Sequence, residues 1–86
     1  MRMFQLFFGT QPQKFLKKCD ETLYARLMKK LDELRNDPFP TDVKRVIGKK
    51  SKAFRVRVGD HRIQYLVFHE KNEILVFDIE KRPKAY

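Results

Sequence analysis

The chain has 86 residues, 42% of them hydrophobic with eight Phe and three Tyr, and 20 Lys and Arg against 11 Asp and Glu give a formal charge of +9. That is enough for one domain, which buries about 60 to 65% of the surface its unfolded chain exposes, and the aromatic content excludes a disordered polyelectrolyte. The charge points toward polyanions such as nucleic acid, an anionic membrane surface or an acidic protein, and the lone Cys19 excludes both an intrachain disulfide and a cysteine zinc site, which favours a reducing compartment.

The first apolar run, residues 3 to 8, is broken by Gln5, ends at Gly9 and is far shorter than the ~20 residues of a membrane span, so it predicts a buried opening strand. With no other targeting segment visible, a cytoplasmic protein is expected. Thr10 is a candidate cap for a short helix with Pro12 in its first turn, Phe15, Leu16 and Cys19 on its apolar edge, and an end near residue 18 or 19. From the N-cap Asp20, the spacing of Leu23, Leu27, Leu31 and Leu34 predicts a second helix to about residue 36, which Asn36-Asp37-Pro38 terminates. The two helices form an αα-hairpin.

Residues 43 to 52 hold three apolar groups (Val43, Val46, Ile47) and five cations, which predicts a loop or a poorly regular strand. Three strand-like runs follow, about 53 to 58, 61 to 68 and 74 to 80, separated by Gly59-Asp60 and by residues 70 to 73. The fold class expected for residues 1–86 is therefore a single α+β domain. An N-terminal strand and a three-strand meander make an antiparallel-rich sheet of about four strands, with the αα-hairpin packed on one face.

The hairpin around Gly59-Asp60 carries the chemistry. Alternation puts Phe54, Val56 and Val58 on one face and Arg55 and Arg57 on the other. A two-residue turn pairs residue 58 with 61, which sets Arg57 across from Arg62 and Arg55 across from Gln64; a three-residue loop would move Arg62 to the opposite face. Arginines facing each other repel unless an anion or water intervenes, an arrangement suited to clamping phosphate. Alternation alone fits an ordinary solvated meander edge equally well. The charge count decides between them: between residues 44 and 62, eight cations (Lys44, Arg45, Lys49, Lys50, Lys52, Arg55, Arg57, Arg62) face one acid, Asp60. After the last strand come Lys81, Arg82, Lys84 and Tyr86, the tyrosine suited either to stacking on a base or to fraying at the terminus.

The Arg-x-Arg-Val-Gly-Asp-x-Arg-x-x-Tyr hairpin, preceded by a Leu-rich helix and Asn-Asp-Pro-Phe-Pro and followed by Lys-Arg-Pro-Lys-Ala-Tyr, resembles the RelE/ParE toxin superfamily over nearly the whole chain, its last segment being similar to archaeal RelE proteins. The resemblance implies a toxin of a type II toxin–antitoxin system, a ribosome-dependent mRNA endoribonuclease bound by a small, largely helical antitoxin. It needs no metal or other cofactor. It also implies attack of a 2′-OH on the adjacent phosphate, leaving a 2′,3′-cyclic phosphate and a 5′-OH. Carried over by position, the catalytic set is Arg55, Arg57, Arg62, Arg82 and Tyr86, with Lys44, Arg45, Lys49, Lys50, Lys52, Gln64, Lys81 and Lys84 as further RNA contacts. Bacterial relatives carry lysines at the positions of Arg55 and Arg57; an arginine keeps its proton and binds a transition state more readily than it removes a proton, so the resemblance does not identify the general base. It further implies that the helix following this point in some relatives is missing after Tyr86.

His61 and His69 border turns and are assigned to the surface or to packing. Asp78 and Glu80 share a strand face and are read as balancing charge. The alternatives from other classes are a gyrase inhibitor of the ParE kind and a catalytically weak basic module that binds RNA or protein.

Overall fold

The computed structural model describes residues 3–40, 42–45 and 53–81. In chain order the elements are β1 (Gln5–Phe8), α1 (Thr10–Lys18), α2 (Glu21–Asn36), β2 (Lys44–Arg45), β3 (Ala53–Val58), β4 (His61–Phe68), a 3-10 turn (His69–Lys71) and β5 (Glu73–Lys81). The sheet order is β1-β5-β4-β3-β2, with β1 parallel to β5 and every other pair antiparallel.

The expected α+β architecture and αα-hairpin are present, and the sheet has one strand more than expected. The extra strand is β2, in which Lys44 pairs with Arg55 and Arg45 with Phe54. Two charged residues carry no apolar alternation, so nothing in the sequence separates this strand from a loop. The opening strand also differs from expectation: β1 lies at the sheet edge with Phe7 45% exposed, and is not buried on both sides.

Helix α2 starts where the Asp20 carboxylate accepts from the Leu23 N–H at 2.7 Å, satisfying one of the free donors of the first turn. It ends at Asp37, which is extended (φ −147°) ahead of Pro38. Thr10 does not cap α1. Gly9 occupies the cap position without a side-chain bond, and Thr10 is already the first helical residue. Leu27, Leu31 and Leu34 are fully buried and meet Val56, Ile63, Tyr65, Ile74, Val76 and Ile79 from the sheet in one core. Phe15 and Leu16 of α1 pack against the same core, so both helices cover the same face. No helix among the described residues is long and apolar enough to cross a membrane.

Two polar devices close the structure around this core. The Gln11 amide donates to the Ile79 carbonyl at 2.7 Å and accepts from the Ile79 N–H at 2.9 Å, serving the backbone of β5 beyond the end of β1. The buried Tyr65 hydroxyl donates to the Pro38 carbonyl at 2.6 Å and so anchors the segment after α2 to the middle of the sheet. Burial, with Asp42 and Asp37 nearby, pushes the Tyr65 phenol well above its ordinary range.

The feature that positions the site is a bulge in β5. Opposite Gln64 and Tyr65 the register passes from Asp78 to Val76, so Phe77 is the extra residue. Ile74 and Val76 point to the core before it and Ile79 after it. Without the bulge, strict alternation would turn Asp78 and Glu80 toward the helices. With it, both carboxylates stand on the helix-free face.

Candidate nucleic-acid interface

The two-residue turn forms with Gly59 at φ +57°, a conformation open to glycine at little cost. The resulting register is the one expected for a two-residue turn and not that of the three-residue alternative: Val58 pairs with His61, Arg57 with Arg62 and Arg55 with Gln64. Because cross-strand partners share a face, two polar rows run over the helix-free side of the sheet. One row reads Lys44, Arg55, Gln64, Asp78 from β2 to β5, and the other Arg57, Arg62, Glu80. Each begins in cations and ends in a carboxylate.

The cationic ends line an open cleft of about 710 Å³ bounded by Asp42, Lys44, Arg55, Val56, Arg57, Gly59, Asp60 and Arg62. Arg57 is exposed and donates from Nε to the Gly59 carbonyl at 3.3 Å. Arg62 is half-buried, and Nε and one terminal nitrogen both donate to Glu80 Oε1, at 2.8 and 2.7 Å. The repulsion between Arg57 and Arg62 is thus relieved from the side, by a carboxylate on the next strand, while the cleft side of the pair stays open. Gln64 donates to Asp78 Oδ2 at 3.1 Å. Burial and the neighbouring Glu80 raise the Asp78 carboxyl above the usual carboxylate range, against the opposing pull of Arg62 and Gln64.

Of the site residues expected from sequence, Lys44, Arg55, Arg57 and Arg62 come together in the cleft, and Gln64 lies beside it, occupied by Asp78. Two do not join them. Arg45 shares the helix-side face with Phe54, and Lys81 pairs with His61 on that same side, where Lys81 and His61 line a separate cavity with Lys14, Phe15 and Lys18 of α1. Alternation flips each to the other face from its neighbour. Lys49, Lys50, Lys52, Arg82, Lys84 and Tyr86 lie outside the described residues. The histidines pack as expected, His61 edge-on to Phe15 at 5.6 Å and His69 stacked on Phe39 at 5.4 Å.

Two features escape a sequence reading. The guanidinium of Arg26, on α2, lies so close to the hairpin tip that a side-chain carbon added at Gly59 would meet it at 2.7 Å, a contact that no local pattern announces. The bulge does leave a trace, since the buried positions 74, 76 and 79 change parity within one strand.

A mixed sheet in this order, with an αα-hairpin on one face and an arginine hairpin on the other, defines the RelE/ParE class of toxin folds. The chain superposes on a chain of the archaeal RelE–RelB complex from Pyrococcus horikoshii OT3 with a TM-score of 0.84 at 25% identity, covering 96% of this chain and 99% of that one. It superposes on a chain of the Mycobacterium tuberculosis RelBE2 toxin–antitoxin complex with a TM-score of 0.83 at 19% identity, over 98% and 97% of the two chains, a likeness of fold. In sequence, residues 8–86 match the family model of the ParE toxin of type II toxin–antitoxin systems. The RelE1 protein of Methanocaldococcus jannaschii is 30% identical over 76 residues, 85% of this chain and 83% of that protein. The chain belongs to the RelE/ParE family of type II toxin–antitoxin toxins.

Proposed function

We propose that this toxin is a ribosome-dependent mRNA endoribonuclease of the RelE kind. The observation that carries the reading is the pairing of Arg57 with Arg62 beside Lys44 and Arg55, over an open cleft on the face that the helices leave free. A single-stranded backbone laid along this cleft presents one phosphate to Arg57 and Arg62 and a flanking phosphate to Arg55 and Lys44. The 2′-oxygen attacks phosphorus, the bond to the 5′-oxygen breaks, and the two guanidinium groups stabilise the charge that builds on the phosphoryl oxygens. Arg62 exchanges its Glu80 contact for the phosphate, a bidentate partner for which a guanidinium is well shaped. By resemblance, Arg82 serves the leaving oxygen and Tyr86 orients the substrate.

The same reading gives the protein an antitoxin. Relatives of this fold from Pyrococcus horikoshii OT3, Escherichia coli and Mycobacterium tuberculosis are solved as toxin–antitoxin complexes. Here the helix-free face also carries the exposed Phe7 and Phe68 on the rows beyond the arginines, and a partner with acidic and apolar groups would cover both parts. Pull-down from the native host tests this: a stoichiometric helical partner is expected, and a free monomer at native expression level counts against it.

The second reading, gyrase inhibition, has the matched ParE family model in its favour. One experiment separates the two. After induction in cells, transcript 5′ ends are mapped and DNA supercoiling is assayed in parallel. New transcript ends with unchanged supercoiling support the ribonuclease; relaxed DNA with intact transcripts supports gyrase.

A further inference from the structure

The arginines of the cleft can stabilise a transition state but cannot remove the 2′-hydroxyl proton, since a guanidinium keeps its own, and Lys44, the lysine that lines the cleft, stands exposed on the edge strand β2, outside the Arg57–Arg62 pair. A base has to come from elsewhere, and the cleft and the two polar rows that lead from it carry four carboxylates among the described residues. Asp42 is held by Lys30 at 3.0 Å. Asp60 is exposed at the hairpin turn. Glu80 holds Arg62 through both contacts on Oε1. Asp60 and Asp78 make no ion pair within contact distance among the described residues; of the two, Asp78 is the one held over the sheet, accepting from the Gln64 amide with Glu80 beside it.

We propose, on the strength of the ribonuclease reading, that Asp78 is the general base of the reaction and takes the 2′-hydroxyl proton of the nucleotide whose 3′ phosphate sits on Arg57 and Arg62. Three observations carry this. The Phe77 bulge turns Asp78 away from the helices and onto the RNA face, as bulges beside active sites re-aim side chains. Asp78 lies across from Gln64 on β4, one pair along from Arg62, and adjacent strands are about 4.8 Å apart, so a phosphate seated over β4 leaves its 2′-hydroxyl within reach of β5. The side chains facing Asp78 also supply a coupling. Glu80 on its own strand strengthens it as a base, Arg62 on β4 weakens it, Gln64 donates to it, and Arg55 is two strands away in the same row. When phosphate draws Arg62 from Glu80, the guanidinium charge acting on Asp78 is neutralised by the phosphate and the Glu80 carboxylate is left uncompensated beside it. The base becomes stronger as substrate arrives.

The step balances without a co-reactant. The 2′-oxygen–phosphorus bond forms as the proton passes to Asp78, the phosphorus–5′-oxygen bond breaks, the 5′-oxygen takes a proton from water, and Asp78 returns its own to solvent.

The test is single-turnover cleavage of mRNA on programmed ribosomes between about pH 5 and 9, beside binding of the same mRNA with 2′-deoxyribose at the cleavage position. The wild type is expected to show a rate that rises through an acidic limb to a plateau. Asp78→Asn should lose about 10²-fold or more of the plateau rate and lose that limb, while binding the deoxy mRNA as tightly as the wild type or tighter, which also shows that the variant is folded. Glu80→Gln should retain the limb and move it to lower pH. An Asp78→Asn variant that cleaves within about threefold of wild type, or a limb unmoved by Glu80→Gln, overturns the assignment of Asp78 and leaves the ribonuclease reading standing. A wild type that cleaves no mRNA on ribosomes overturns both.

Discussion

The two faces of the sheet obey opposite rules. On the helix side, Val56, Ile63, Tyr65, Val76 and Ile79 are buried with the leucines of α2, and the one polar atom that matters there, the Tyr65 hydroxyl, has its partner in Pro38. On the free side the same strands, one residue out of phase, present like charges across from each other, a carboxylate with raised proton affinity, and exposed Phe7 and Phe68. One face is satisfied by the fold; the other is left for a ligand to complete. Substitutions should divide accordingly, the inner ones changing stability and the outer ones changing activity.

The largest effect on the inner face should come from Leu31→Ala, which removes a fully buried side chain from the helix–sheet contact and is expected to cost about 2 to 5 kcal/mol of unfolding free energy in denaturant titration. A loss below about 1 kcal/mol would mean that the core is not packed as described. The corresponding outer change is Arg62→Ala, expected to lower cleavage by ~10² to 10³. Both members of the Arg62–Glu80 pair reach water, with side chains 26% and 39% exposed, so its loss should change stability by less than about 1 kcal/mol. Growth after induction and thermal unfolding of the purified variant read the two effects, with Lys29→Ala, an exposed α2 residue, as the control. Lys30 is a poor control, since it bridges Glu33 and Asp42 at the rim of the cleft. Next in size is Tyr65→Phe, which leaves the Pro38 carbonyl without its donor and should cost about 1 to 2 kcal/mol with toxicity per folded molecule retained.

A smaller and more discriminating effect concerns pH. The Asp78 carboxyl is raised in the folded protein, so its contribution to stability is fully present below the unfolded carboxylate range and is lost as pH rises through the folded value. Asp78→Asn should therefore raise the midpoint of thermal unfolding at pH 7 relative to wild type and make little difference in acid. A variant less stable than wild type at neutral pH would show that the carboxylate is a structural partner of Gln64 and nothing more.

Much of this division was legible before any coordinates. The leucine spacing of α2, the Asp20 cap and the Gly59-Asp60 turn each depend on local chemistry, and each formed as expected. The register then followed, because residue parity and turn length fix which arginines meet. What the sequence concealed depends on distant neighbours. Strand β2 exists only because β3 lies beside it, Gln11 serves Ile79 from 68 residues away, and Glu80 holds Arg62 from another strand. Arg45 and Lys81 were counted with the cations by composition, yet one step of alternation puts them with the helices.

The most direct measurement of the central claim is the chemistry of the cut ends. Purified protein is added to ribosomes carrying a defined mRNA, and the products are tested for a 2′,3′-cyclic phosphate on the upstream fragment and a free 5′-hydroxyl on the downstream one. Wild type should yield both at the ribosome-bound codon, with the yield falling ~10²-fold or more in Arg62→Ala. Intact mRNA with wild type, or ends that Arg62→Ala produces as fast, would contradict the assignment of the free face as the site of RNA cleavage.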